Sequence, residues 1–124
     1  MERNPHKILI VDDSRIEQTL LKSVLSKSGF TLFFAETVSE ALKLLGSENI
    51  GLVLVDFFLA GINDGTALVS KIRKYKVDVK IYAISGSEDT AKSLLAAGCD
   101  GILSKDPVEI KRFLEENYKG ASFS

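Results

Sequence analysis

The sequence predicts an α/β fold in which helices cover both faces of one parallel, doubly wound sheet. Short apolar and β-branched runs, typical of buried strands, alternate with segments whose apolar residues recur at helical spacing. Four of the strand-like runs are followed by charged or hydroxyl residues. Because ligands of an open parallel sheet bind outside the carboxyl ends of its strands, these residues are expected to meet at one edge.

Length and composition indicate one compact domain. A chain of 124 residues, 45% hydrophobic and 27% charged, can bury a core without disulfides or a structural metal. The 16 basic and 17 acidic residues leave a net charge of -1, which gives no electrostatic reason to expect direct nucleic-acid binding. No stretch approaches the roughly 20 apolar residues of a membrane span, so no membrane association is expected. With one cysteine, Cys99, and no apolar signal core at the start, we expect a cytoplasmic location.

The chain is expected to divide into a polar leader, one domain and a frayed tail. Residues 1–6 form the leader, in which the sole histidine, His6, is expected to be solvated. Residues 7–118 form the domain, and residues 119–124 form the tail. The sequence has no internal repeat, low-complexity stretch or linker, so any effector domain is expected to lie outside it.

The first two units each combine a strand with a capped helix. Residues 7–11 are predicted to form the first strand and residues 30–36 the second. Ser14 followed by Glu17 indicates a capping box at the start of the first helix, and Gly29 ends that unit. The corresponding residues of the second unit are Thr37, Glu40 and Gly46.

The third unit contains the most apolar strand. Residues 52–55 are uninterruptedly apolar, as expected for a strand that is buried on both faces. After Asp56, a loop with Asn63, Asp64 and Gly65 leads to the third helix. The inward residues of that helix are predicted to be Leu68, Val69 and Ile72.

The last two units follow the same alternation. Residues 80–84 and 101–104 are predicted to form the fourth and fifth strands, with a helix from about residue 89 to 97 between them. Asp106 and Pro107 suit the N-cap and first turn of the final helix. The apolar residues on one face of that helix are Ile110, Phe113, Leu114 and Tyr118.

Five side chains that could handle a phosphoryl group follow the predicted strands: Asp12, Asp13, Asp56, Ser85 and Lys105. Adjacent carboxylates such as Asp12 and Asp13 repel each other unless a cation neutralises them, and magnesium prefers carboxylate and phosphate oxygens. Asp56 can attack phosphorus, Lys105 can supply the cation beside it, and Ser85 can donate a hydroxyl hydrogen bond. Structural alternatives are helix capping for the acidic pair, a surface position for Lys105 and a helix-initiating turn for Ser85.

Four motifs carry a resemblance to a known family. They are Ile-Leu-Ile-Val-Asp-Asp-Ser at 8–14, Leu-Val-Asp at 54–56, Ile-Ser-Gly at 84–86 and Ala-Gly-Cys-Asp-Gly at 97–101, the last leading to Lys105. Over residues 7–118 the chain resembles the receiver domain of two-component response regulators, of the single-domain, chemotaxis-regulator-like kind. The resemblance implies a flavodoxin-like fold with five parallel strands in the order 2-1-3-4-5.

The resemblance also implies a function and a cofactor. Asp56 would accept a phosphoryl group from a sensor histidine kinase or a histidine phosphotransfer protein, and thereby signal to a downstream protein or effector domain of unknown identity. Asp12, Asp13 and Asp56, with the backbone carbonyl of Phe58, would hold Mg²⁺, for which Mn²⁺ could substitute. Such a domain is not an enzyme, although it promotes its own phosphorylation and slow dephosphorylation.

The switch implied by the resemblance shows departures from the family pattern. Ser85 and Lys105 would bind the phosphoryl group, and Ser85 would move toward it. Ile102 stands where the family has a switch tyrosine or phenylalanine, and Asp106 stands where proline usually follows the lysine. A cis bond before a residue other than proline costs about 3 to 4 kcal/mol, so a trans Lys105–Asp106 bond is predicted.

Two alternatives remain open from the sequence. A pseudo-receiver would bind partners without ever being phosphorylated, and Ile102 and Asp106 favour that interpretation. A haloacid-dehalogenase-like phosphatase also uses an aspartate nucleophile, magnesium and a lysine. Its nucleophile lies in an Asp-x-Asp arrangement, which the adjacent Asp12 and Asp13 do not match.

Overall fold

A sheet of parallel strands organises the described part of the chain, which comprises residues 1–61 and 63–119 of a computed structural model. Its five strands lie in the order β2-β1-β3-β4-β5, and every neighbouring pair is parallel. The strands are β1 (Asn4–Val11), β2 (Thr31–Ala35), β3 (Ile50–Asp56), β4 (Lys80–Ile84) and β5 (Gly101–Leu103). The helices are α1 (Arg15–Leu25), α2 (Val38–Ser47), α3 (Gly65–Lys74), α4 (Glu88–Ala97) and α5 (Pro107–Leu114), followed by a π-helical turn, Glu115–Lys119. The predicted fold class, strand number and strand order are confirmed.

Strand β3 forms the centre of the core. All seven of its residues are buried, and it lies between β1 and β4. Successive side chains of a strand point to opposite faces, so Val53 and Val55 pack with α2, α3 and α4, whereas Leu52 and Leu54 pack with α1 and α5. Burying each such side chain contributes about 1.5–3 kcal/mol, which explains why this strand is apolar on both faces.

The strand register brings the predicted site residues to one edge of the sheet. Val11 at the end of β1 pairs with Val55, and the next residue of β3, Asp56, pairs with Ile84 at the end of β4. Ile84 in turn pairs with Leu103, the last residue of β5. The residues at or just beyond these ends are Asp12, Asp13, Asp56, Ser85 and Lys105.

The helices begin at polar N-caps, most of them as predicted. The side chains of Ser14, Thr37 and Asp106 accept hydrogen bonds from N–H groups in the first turns of α1, α2 and α5. Ser87 caps α4, which therefore begins at Glu88. Within residues 1–61 and 63–119, no helix combines the length and the apolar character needed to cross a bilayer.

Strand β1 begins at Asn4, so part of the expected leader belongs to the sheet. Asn4 pairs with Ile50 after an irregular step in the register, and its N–H donates to the carbonyl of Asn49 (2.8 Å). His6 is half-buried, and its Nε2 lies 2.5 Å from the carbonyl oxygen of Tyr118, so the expectation of a solvated histidine is wrong. The polar side chains concealed this extension because the pairing uses backbone groups.

The other boundary differences are small. Strand β3 begins at Ile50, earlier than predicted, and β5 ends at Leu103 rather than at Ser104. Tyr118 lies in the π-helical turn beyond α5, yet it packs against the cluster beneath α1 and α5, as its predicted inward position requires. Residues 120–124 of the expected tail lie outside the described residues.

Candidate functional site

Asp56 lies at the end of β3 with both carboxylate oxygens engaged. Asp56 is only 3% exposed because β3 is covered on both faces. The N–H of Phe58 donates to Oδ1 (3.2 Å), and Nζ of Lys105 donates to Oδ2 (3.1 Å). The carboxylate is therefore fixed at the edge of the sheet by one backbone group and one cation.

Asp12 lies beside Asp56 at the end of β1 and is equally buried, at 3% exposed. Its Oδ1 accepts a hydrogen bond from the N–H of Ser14 (2.9 Å). The pKa of Asp12 is raised from 3.8 to about 8. Burial is the largest cause, and a hydrogen bond with Glu17 and the nearby negative charges act in the same direction. The hydrogen bond from the Ser14 N–H has the opposite effect. Asp12 is thus a carboxylate whose ionised form the protein alone stabilises poorly.

Glu17 joins these two aspartates in an acidic cluster that the sequence did not predict. One carboxylate oxygen from each of Asp12, Glu17 and Asp56 lies within 4.8 Å of the others. Oxygen atoms of closely spaced carboxylates suit a hard divalent cation such as Mg²⁺. Asp13 is exposed and is not part of this cluster. Its role as a metal ligand remains a prediction, as does that of the Phe58 carbonyl.

The orientation of Glu17 follows from an incomplete capping box. The N–H of Glu17 donates to Ser14 Oγ (3.2 Å), as predicted, but the N–H of Ser14 donates to Asp12 instead of Glu17. The Glu17 carboxylate lies instead beside Lys105, with Oε1 3.7 Å from Nζ. The hydrogen bond with Asp12 and the Lys105 charge lower the pKa of Glu17 against the effect of burial.

Lys105 connects the acidic residues from the end of β5. Burial would lower its pKa, but the hydrogen bond with Asp56 and the charges of Asp56, Glu17 and Asp12 raise it, so the side chain is held as a cation. The described residues contain no cis peptide bond, which confirms the predicted trans Lys105–Asp106 bond. Asp106 then caps α5, because its Oδ1 accepts the N–H of Val108 (3.0 Å).

Ser85 faces the same edge but binds the start of α4 rather than Asp56. Its Oγ donates to the carbonyl of Ser87 (2.8 Å) and lies 2.5 Å from Oγ1 of Thr90. A cavity of about 240 Å³ lies between Asp56 and the start of α4, and Asp56, Ser85 and Lys105 are among the residues that line it. The structure therefore brings Ser85 to the site while leaving its hydroxyl engaged in the α4 cap.

Comparison with known proteins identifies the family to which this geometry belongs. The family model of the response regulator receiver domain matches residues 8–116. The chain belongs to this family. Receiver domains are signalling modules of two-component systems rather than conventional enzymes, so the predicted family and class of function are confirmed.

The curated relatives of this chain include proteins more than twice as long as the matched region. The transcriptional regulatory protein PmrA of Pectobacterium parmentieri is 38% identical over 101 residues, which cover 80% of this chain and 45% of PmrA. A cyclic di-GMP phosphodiesterase of Thermotoga maritima is 32% identical over 106 residues, covering 84% of this chain and 28% of that protein. The receiver domain thus spans less than half the length of each.

A solved structure supports the same assignment over nearly the whole chain. A CheY-like response regulator receiver domain protein from Methanospirillum hungatei matches with a TM-score of 0.78 at 26% identity. The match covers 95% of this chain and 94% of that one. The fold and the order of the strands are therefore those of a receiver domain.

Ile102 occupies a packed position in this receiver domain. It lies on β5, is half-buried and packs against the core cluster beneath α2, α3 and α4. A β-branched side chain is stiff at χ1 and has no ring that could swing. The role of Ile102 in a conformational switch remains a prediction.

Proposed function

We propose that this receiver domain accepts a phosphoryl group on Asp56 from a phosphohistidine of a sensor histidine kinase or a histidine phosphotransfer protein. The observation that carries the proposal is the Asp56 carboxylate, fixed by Lys105 and by the Phe58 N–H beside an open cavity. A carboxylate oxygen attacks the phosphorus, the P–N bond of the donor breaks, and the imidazole leaves with the bonding electrons.

Mg²⁺ is the cofactor that best fits the acidic residues. Asp12, Asp13, Asp56 and the carbonyl of Phe58 would hold it, and Mn²⁺ could substitute. When bound, the ion neutralises the negative charge that would otherwise repel a phosphodonor. The raised pKa of Asp12 supports this proposal, because a buried carboxylate close to two others lacks a sufficient counter-charge.

Lys105 and Ser85 would bind the phosphoryl oxygens. The Lys105 ammonium already lies 3.1 Å from Asp56 Oδ2, where it can stabilise charge that develops during transfer. Ser85 would leave its partners in the α4 cap and donate its hydroxyl to a phosphoryl oxygen. Gly86 beside it leaves room for close approach, since a Cβ there would meet only the Lys105 side chain, at 3.7 Å or more.

The surface around the site suits a protein donor. Ile16 and Leu20 on α1 are 76% and 49% exposed, and Val108 on α5 is 57% exposed. Leu20 also lines a cavity that includes Glu17 and Lys105, so the apolar surface reaches the site itself. A phosphohistidine partner that covers these residues would exclude water from the transfer. We further propose that the domain signals to a downstream partner of unknown identity and that it acts in the cytoplasm.

Mass spectrometry after treatment with acetyl phosphate and Mg²⁺ tests the proposal. The wild-type protein should gain one phosphoryl group, and Asp56→Asn should gain none. Asp78→Asn, which removes an exposed carboxylate before β4, is the matched control and should be phosphorylated normally. An undiminished adduct in Asp56→Asn would contradict the assignment of the acceptor.

A phosphorylation-independent pseudo-receiver is the second candidate, favoured by Ile102 at the switch position. In that case the wild-type protein would form no adduct with any small phosphodonor, although it would still bind its partner. Repeated turnover of the donor without a lasting adduct would instead point to a phosphatase.

A further inference from the structure

Lys105 lines two cavities and lies within salt-bridge distance of two carboxylates. Toward α4 it contacts Asp56 Oδ2 (3.1 Å) beside the cavity of about 240 Å³. Toward α1 it approaches Glu17 Oε1 (3.7 Å) beside a cavity of about 100 Å³, which Leu20 and Pro107 also line. The ammonium group of Lys105 therefore has two carboxylate partners, which belong to the same acidic cluster.

Helix capping does not account for the direction of the Glu17 side chain. Glu40 occupies the equivalent position of α2, and its Oε1 accepts hydrogen bonds from the N–H of Glu36 (3.2 Å) and the hydroxyl of Thr37 (3.1 Å). In α1 the N-cap residue Ser14 donates its own N–H to Asp12 Oδ1 (2.9 Å), so this N–H is not available to Glu17. The Glu17 carboxylate is consequently directed toward Lys105 and the acidic cluster.

We propose that Glu17 is a positioning residue of the phosphoryl-transfer site, which restrains Lys105 and adds a third carboxylate beside Asp12 and Asp56. This inference rests on the proposed function, because it concerns the same site. Glu17 shares the ammonium group with Asp56, so less of the Lys105 charge is available to an incoming phosphoryl group. The additional negative charge attracts a divalent cation and repels a dianionic phosphodonor.

The two effects of Glu17 predict opposite changes in Glu17→Gln. The concentration of Mg²⁺ at half-saturation should rise, because one nearby negative charge is lost. At saturating Mg²⁺ the apparent KM for acetyl phosphate should fall, because the donor meets less repulsion and Lys105 is free to face it. For a charge several ångströms away at a partly exposed site, each change should be on the order of 3- to 10-fold.

The experiment compares wild type with Glu17→Gln, Glu17→Asp and Glu40→Gln. Mg²⁺ binding is followed by amide chemical shifts without any phosphodonor, and phosphorylation of Asp56 is followed by mass spectrometry over a range of acetyl phosphate concentrations. Glu17→Asp keeps the charge and should stay closer to wild type in Mg²⁺ affinity. Glu40→Gln removes the equivalent carboxylate of α2, which is outside the cluster, and should change neither quantity.

Particular outcomes would overturn the inference. Wild-type values for both quantities in Glu17→Gln would show that Glu17 is only a surface residue of α1. Weaker binding of both Mg²⁺ and acetyl phosphate would indicate general damage to the pocket rather than a positioning role. If the wild-type protein is never phosphorylated, the proposed function fails. The Mg²⁺ titration would then decide the Glu17 inference, and unchanged affinity in Glu17→Gln would overturn it.

Discussion

At the scale of single residues, Asp12 and Asp56 place two almost fully buried carboxylates next to each other. Both are 3% exposed, and with Glu17 they form one cluster of oxygens. In the described residues, Lys105 is the only cation within salt-bridge distance of that cluster. Because burial disfavours charge and like charges repel, the metal-free folded protein opposes ionisation of Asp12, whose pKa is raised.

The stability of the metal-free protein should therefore fall as pH rises from about 5 to about 8. The pKa of Asp12 in the folded protein is about 8, against an ordinary value of 3.8. Between these values the unfolded chain has released the Asp12 proton while the folded protein retains it, so rising pH favours unfolding. Glu17, whose pKa is lowered from 4.5, titrates below this window and does not offset the effect.

Urea unfolding in the presence of a chelator, at about pH 5 and about pH 8, measures this dependence. Wild type should lose stability between the two values, and Asp12→Asn should lose less because it carries no titrating group at that position. Asp13→Asn is the matched control, since Asp13 is exposed, and should follow wild type. Equal losses in wild type and Asp12→Asn would show that Asp12 is ionised throughout.

The same residues show how far sequence reasoning reaches at the site. Asp12, Asp56 and Lys105 could be placed together because each follows a strand, and that rule needs only the order of the elements. Glu17 was missed because its spacing from Ser14 predicts a carboxylate that returns to the helix backbone. Only the structure reveals that Asp12 already binds the Ser14 N–H, which leaves Glu17 for Lys105. An acidic residue in the first turn after a strand-end aspartate is the signal that could have found it.

At the scale of elements, Ser85 is coupled to α4 by a network of hydroxyl groups. Thr90 Oγ1 lies 2.5 Å from Ser85 Oγ and 2.8 Å from Ser87 Oγ, and Ser87 is the N-cap of α4. A movement of Ser85 toward Asp56 would break its contact with Thr90 and alter the first turn of the helix. This route does not require an aromatic ring at Ile102.

A phosphoryl mimic should therefore perturb residues 85–97 more than Ile102. Amide chemical shifts with and without beryllofluoride measure the response along the chain. Thr90→Val is nearly isosteric and keeps the hydrogen bond that the N–H of residue 90 donates to Ser87 Oγ. It removes the hydroxyl that contacts Ser85. We expect this variant to bind the mimic while the shift changes across α4 decrease, because the coupling group is lost.

Ser93→Ala provides the control within the same helix. Its hydroxyl is exposed and donates to the carbonyl of Asp89 (3.2 Å), apart from the network around Ser85. The control should respond to beryllofluoride like wild type. Unchanged α4 signals in a wild-type protein that binds the mimic would refute the route through Thr90.

The strands and helices were predictable to different degrees for physical reasons. The apolar runs of β1, β3 and β4 reveal their positions because their side chains are buried. The extension of β1 to Asn4 was invisible because it depends on backbone pairing with β3, where Gly51 is so close that a Cβ would lie 2.5 Å from the carbonyl carbon of Asn4. A pattern of apolar side chains does not report such a backbone contact.

At the scale of the whole molecule, the site lies at the carboxyl ends of the strands, and a set of hydrogen bonds centred on Arg73 lies at the amino ends of β4 and β5. We call this set the Arg73 clamp. Arg73 at the end of α3 donates Nε to the carbonyl of Gly98 (3.0 Å) and Nη1 to the carbonyl of Val79 (2.9 Å). Its Nη2 contacts Asp100 Oδ2 at 2.8 Å, and the same oxygen accepts the N–H of Ile81 (2.8 Å). The clamp thus joins α3, the end of α4 and the starts of β4 and β5, whereas Ser85 and Lys105 follow the ends of those strands.

Removing the clamp should lower stability without changing the chemistry at Asp56. Arg73→Ala leaves two carbonyls and the Asp100 carboxylate without their charged partner. Because the ion pair is about one-third exposed and water can replace part of it, we expect a loss of about 1–3 kcal/mol in the free energy of unfolding. Urea unfolding of Arg73→Ala, with the exposed neighbour Lys74→Ala as control, measures that loss. Acetyl phosphate and Mg²⁺ should still phosphorylate the folded variant at the wild-type rate. A slower reaction in fully folded Arg73→Ala would show that the two edges of the sheet are coupled.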